Sequence, residues 1–158
     1  MSTAASLHAK LDALYDVWSG LTLSSPDADF EEFADFFDED CRAWLISMRE
    51  LGEPSLGRKG VIQGVKDLVR NMRIEERRVV GRFDSGHYKI SVEMSNRYDC
   101  LDRTVDPFWE AVVVTFNDKG LIADFKTHCC RSPMVAIIQE VTGVGPYKCH
   151  DVRSNLTG

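Results

Sequence analysis

Residues 108–130 read FWEAVVVTFNDKGLIADFKTHCC. Two runs rich in Val, Phe, Ile and Thr flank Asn117-Asp118-Lys119-Gly120, a turn signal, so Phe108–Phe116 and Leu121–Cys130 form a hairpin. A three-residue loop Asp118-Lys119-Gly120, with glycine at the left-handed bulge position, pairs Asn117 with Leu121 and sets Glu110 opposite His128. A two-residue turn sets Trp109 opposite His128 instead. One residue of slip exchanges the faces of the whole strand.

The period-two pattern extends upstream. In His87–Tyr98, Tyr88, Ile90, Val92 and Met94 fall on one side and His87, Lys89, Ser91 and Glu93 on the other. Residues 74–83 read as a further strand and 99–107 as a polar loop. Before residue 74 the period is helical. Leu7, Leu11, Leu14, Trp18 and Leu21 mark an amphipathic helix over Ser6–Leu23, with Ser6 as its N-cap. Phe30, Phe33, Phe36 and Phe37 mark a second helix. Cys41–Arg49 reads as a strand, 52–60 as a loop, and Val61, Ile62, Val65, Leu68, Val69 and Met72 as the apolar face of a third helix beginning near Lys59. Ser132–Thr142 closes the core with a helix, Gly143 lies past its end, and 143–158 is a Gly- and Pro-containing tail. Helices first and hairpins later indicate an α+β fold, with helices packed on a curved, mostly antiparallel sheet that encloses a cavity for a small apolar ligand. Trp44, Phe33, Phe36, Phe37 and Trp109 are expected in the core and cavity wall, which suits a flat polycyclic ligand.

The 158 residues fit one domain, with a core of about 6–142. Lys and Arg number 19 against 25 Asp and Glu, a net charge of −6, which argues against nucleic acid as a partner. No apolar run approaches the ~20 residues of a membrane span, and MSTAASLHAK lacks the features of a secretory signal, so a cytoplasmic protein is expected. Five cysteines without a C-x-x-C read as reduced thiols, and no spacing suits a metal site.

The order of elements, the Gly57-Arg58-Lys59-Gly60-Val61 start of the third helix and the Asn117–Ile122 hairpin resemble the SnoaL-like polyketide cyclase branch of the nuclear-transport-factor-2-like (NTF2-like) superfamily. Within it the chain looks most like small fungal isomerase/cyclase proteins of polyketide and meroterpenoid biosynthesis. The resemblance implies an enzyme without cofactor that dimerises through its sheet and isomerises or cyclises a polyketide-derived substrate by enolisation. In SnoaL an acidic residue near the end of the last strand is the acid/base group. Here that region is Lys126-Thr127-His128-Cys129-Cys130, so His128 is expected to replace it, with Glu110 fixing its tautomer. The family topology brings Arg49 and Tyr98 to the same end, as donors to an enolate oxygen. The alternatives are His128 on the outer sheet face or in a dimer interface, Glu110 and Arg49 as surface charges, and Tyr98 as a packed aromatic. Tyr15-Asp16 resemble the first-helix pair of scytalone dehydratase, but His87 is expected at the end opposite His128. A scytalone-type dehydratase and a non-catalytic binding module are the rival functions.

Overall fold

The computed structural model describes residues 3–46 and 53–147. Helix α1 (Ala4–Gly20) is capped by Thr3, whose hydroxyl accepts from the Ser6 amide at 3.2 Å, so the cap lies three residues earlier than expected. Its Leu7, Leu11, Leu14, Tyr15 and Trp18 are buried. Helix α2 (Asp27–Ala34) buries Phe30 and Phe33, and Phe37 already belongs to β1 (Phe37–Trp44). A short β2 (Ser55–Leu56) follows where a loop was expected, then α3 (Gly57–Val69), which buries Val61, Val65 and Leu68.

The remaining chain is β3 (Met72–Glu76), β4 (Val79–Asp84), β5 (Lys89–Cys100), β6 (Arg103–Phe116), β7 (Ile122–Cys129) and α4 (Ser132–Thr142). The sheet runs β2-β1-β7-β6-β5-β3, with β4 also on β5. Among the described residues only the β1–β7 pairing is parallel. The expected strand 74–83 is broken at Arg77-Arg78, and its halves β3 and β4 pair with successive stretches of β5. His87 and Tyr88 have positive φ and form a turn rather than the start of a strand. The expected loop 99–107 shrinks to a tight reversal at Leu101-Asp102, both also at positive φ, and β6 begins at Arg103. Polar residues misled there, because this edge of the ladder faces water and tolerates them.

Alternate residues of β5 and β6 point into the curl of the sheet: Ile90, Val92, Met94, Asn96, Tyr98 and Cys100 from one, Phe108, Glu110, Val112, Val114 and Phe116 from the other. An aromatic cluster of Trp18, Phe33, Phe37 and Phe125 joins α1, α2, β1 and β7, with ring centroids 5.4–6.3 Å apart.

Gly57 opens α3 at φ 64°, and a Cβ there would sit 2.7 Å from the Glu39 carbonyl oxygen. Gly57→Ala therefore combines left-handed strain with a backbone clash and should cost at least ~2 kcal/mol in urea denaturation. Gly86→Ala, at φ 70° in open space, should cost only about 1 kcal/mol. Equal costs would contradict this account of the α3 start.

Candidate active site

Two carbons of side chain separate the Glu110 carboxylate from a strand whose other inward residues are apolar, and the carboxylate is almost wholly enclosed, with Glu110 7% exposed. Such a group needs hydrogen bonds to remain buried. Both that are described reach Oε1: the Tyr98 hydroxyl donates at 2.8 Å and the Asn96 amide at 2.6 Å. Asn96 is itself fixed, because its Oδ1 accepts the Arg78 backbone N–H at 2.8 Å, a donor at the break between β3 and β4. With Oδ1 so engaged, the NH2 group must face Glu110.

Burial pushes the Glu110 carboxyl above its ordinary value of 4.5, against the opposing pull of the Tyr98 and Asn96 hydrogen bonds and of the Arg77 charge. Burial, and then the Glu110 charge, push the Tyr98 hydroxyl well above its usual range, so it stays a neutral donor. Tyr15 of α1, fully buried and stacked on Trp18 at 5.4 Å, is pushed the same way by the same two causes.

Glu110 and Tyr98 form the polar floor of a narrow cavity of about 40 Å³, the space open to the centre of a water-sized sphere. Trp18, Phe108, Met72 and Ile74 wall it, and Met134, Val135 and Ile138 of α4 cover it, with Arg131 just before that helix also in its lining. Cys129 lines it too. Its thiol donates to the Ile46 carbonyl at 3.2 Å and is pushed up to about 12, first by burial and then by Glu110, so it is no nucleophile.

The other expected site residues lie elsewhere. The hairpin loop is as anticipated, with Gly120 at φ 73° and the Asn117 amide donating to the Leu121 carbonyl at 2.8 Å. Phe116 pairs with Ile122, but Thr115 pairs with Asp124, so Ala123 is an extra residue on β7. Beyond this bulge Ala111 pairs with His128, and Glu110 with Cys129. His128 therefore points away from the cone, exposed, in a shallow outer depression with Phe83, Glu93 and Trp109. The expected His128–Glu110 pair is not formed. Trp109, 55% exposed, is likewise outside rather than in the core. Arg49 lies outside the described residues. The structure thus brings together Glu110 and Tyr98 of the expected set, sets near them Tyr15, which the sequence singled out only through the dehydratase resemblance, and adds Asn96 and the Trp18–Phe108 walls, which the sequence reading missed. Asn96 at an inward position of β5 was the available signal, since a buried amide needs polar company. Among the described residues no three His, Cys, Asp or Glu side chains converge to hold a metal ion, and no helix is long and apolar enough to cross a membrane.

The raised Glu110 carboxyl stabilises the fold in its protonated form. That stabilisation is complete below 4.5, its ordinary value, and is lost as pH rises through the folded value. Glu110→Gln keeps an oxygen for Tyr98 and Asn96 without the charge. Its Tm should exceed that of the wild type at pH 8, with the gap shrinking toward pH 4. A gap that does not change with pH would contradict a carboxylate held against its desolvation.

No protein-family description matches the chain, and no curated protein matches it. Solved structures do. An NTF2-like protein of unknown function from Burkholderia pseudomallei shares 16% identity over 87% of this chain and 98% of its own, with a TM-score of 0.65. A protein proposed as a polyketide cyclase, from Xanthomonas campestris, shares 12% over 82% and 94%, with a TM-score of 0.60. An LEH-like epoxide hydrolase from M. tuberculosis shares 12% over 87% and 96%, also at 0.60. At these identities the likeness is one of architecture: helices on a curled half-barrel sheet give this chain the NTF2-like fold.

Proposed function

We propose that the chain is a cofactor-independent isomerase or cyclase in which Glu110 moves a proton at a carbon next to a carbonyl group. The observation that carries this reading is a single carboxylate, hydrogen-bonded on one oxygen by Tyr98 and Asn96, in a cavity lined mainly by apolar side chains, with Arg131 as its one cation among the described residues. A carboxyl raised by burial is matched to carbon acids better than an exposed one, because it holds a proton longer and returns it at neutral pH. Tyr98, neutral and lining the same cavity, donates to Glu110 at rest; once the carboxylate has taken the substrate proton, that hydroxyl is the donor at hand for the enolate oxygen. The apolar walls lower the local dielectric and strengthen both interactions.

The lining also bears on the substrate. Trp18 and Phe108 offer flat faces to an unsaturated or aromatic ring, in keeping with a polyketide-derived ketone. The space as it stands holds about three waters, so a ring enters only as side chains yield. Met72 and Met134, unbranched and adaptable, are placed to do so. His128, on the outer face, has no part in this chemistry.

The test uses 2-tetralone, a bicyclic ketone with acidic α-hydrogens, in deuterium oxide, with exchange followed by proton NMR. The wild type should accelerate exchange above buffer. Glu110→Gln should lower the enzymatic rate ~10²-fold or more, Tyr98→Phe should lower it about 10-fold, and His128→Ala should leave it unchanged. A His128→Ala loss as large as that of Glu110→Gln, or exchange indifferent to Glu110, would overturn the assignment.

A further inference from the structure

The break between β3 and β4 places one charged side chain inside the fold. Arg77 leaves the sheet there and turns under α1, its side chain only 13% exposed. Its nitrogens differ in what they meet. Nη1 donates to Asp12 Oδ1 at 2.6 Å, and Asp12 also takes Nη2 of Arg82 at 3.0 Å on both oxygens. Nε donates to the Met94 sulfur at 3.3 Å. The guanidinium carbon sits 4.4 Å from the centre of the Tyr15 ring. Nη2 is buried with no hydrogen-bond partner among the described residues. Leaving such a donor unmet costs stability, so its place calls for an explanation beyond the Asp12 pair.

Met94 supplies the connection. Its sulfur, a weak acceptor, receives Arg77 Nε on one side and lies 3.8 Å from the Asn96 amide nitrogen on the other. The same amide donates to Glu110, and Met94 is the residue directly across the ladder from Glu110. A continuous run of contacts therefore leads from Asp12 through Arg77, Met94 and Asn96 to the carboxylate. Two arginines share the Asp12 carboxylate, Asp84 also lies near enough to act on His8, and Arg77 is the cation of this cluster that lies against Tyr15. His8, which also faces it, is held below its usual value by burial and by Arg82, and adds no lasting charge of its own.

We infer that Arg77 is a positioning residue for Glu110, locking Met94 and Asn96 against the carboxylate and balancing its charge from behind Tyr15. This rests on Glu110 as the working group. The other groups that face the carboxylate are neutral donors or thiols, Tyr98 and Asn96 from β5, Tyr15 from α1 and Cys129 from β7, with Arg131 across the cavity. Arg77 is the cation whose pull on Glu110 opposes burial. Asp12 tempers that pull, so removing either partner moves Glu110 in opposite directions.

The experiment is a carbon-13 NMR titration of the full chain labelled at glutamate carboxyls, with the Glu110 signal assigned by its loss in Glu110→Gln. Arg77→Met should raise the Glu110 midpoint, Arg77→Lys should keep it nearer the wild type, and Asp12→Asn should lower it. A midpoint unmoved in Arg77→Met, or displaced the same way in Arg77→Met and Asp12→Asn, would overturn the inference. If Arg77→Met does not fold, Asp12→Asn decides alone, and a midpoint unchanged or raised there refutes it. The titration needs no turnover. Opposite shifts in a protein that fails to exchange 2-tetralone would keep Arg77 as the positioning residue and remove the proposed activity. Exchange with unmoved midpoints would do the reverse.

Discussion

The β6–β7 ladder carries one more residue on β7 than on β6, and the contents of the cone depend on it. Without Ala123 as a bulge, the alternation that turns Ile122 inward would turn Asp124, Lys126 and His128 inward as well. Phe125 would then leave the aromatic cluster for solvent. With the bulge, Phe125 is fully buried, Thr127 and Cys129 follow it inside, and on the outer face Asp124 pairs with Arg42 and Lys126. Burying a phenylalanine in place of two charges decides the register. A consequence for chemistry follows, since Glu110 stays inside without an imidazole opposite it and faces Cys129 instead.

A carboxylate in that position is costly, and the surrounding structure is arranged to tolerate it. Tyr98 and Asn96 satisfy one oxygen. The Arg78 amide holds Asn96 in the orientation that makes this possible, and that amide lies at the break between β3 and β4. The break also sends Arg77 under α1. One interruption between β3 and β4 thus provides both the hydrogen-bond donor and the countercharge, while the apolar walls from α1, β6 and α4 keep the carboxyl from its ordinary acidity.

Much of the architecture was legible in the sequence because it rests on periodicity. The Leu7–Trp18 stripe, the alternation from Ile90 to Met94 and the Asp118-Lys119-Gly120 loop each dictate a local geometry that tertiary packing then reinforces. Glu110 and Tyr98 were legible as candidates, but their contact was not, because it joins residues on neighbouring strands across a second register shift, between Asn96 and Tyr98. The placement of His128 followed from extending a correct hairpin register along a strand assumed regular. Ile122 and Phe125, two apolar residues three apart in a strand, are the visible mark of the bulge, since strict alternation cannot bury both. Arg77 was hidden for another reason. A run of charges at Glu75-Glu76-Arg77-Arg78 reads as a solvated edge, and only the break in the sheet separates the one that turns inward.

The account places the working chemistry inside the cone and none on the outer face beside Trp109 and His128. A crystal structure with 2-naphthol, the aromatic counterpart of an enolised bicyclic ketone, tests that placement most directly. The account predicts the ring between Trp18, Phe108 and Met134, with its oxygen within hydrogen-bonding distance of Glu110 or Tyr98. A naphthol bound instead on the outer face against Trp109 and His128, with the inner cavity unchanged, would contradict it.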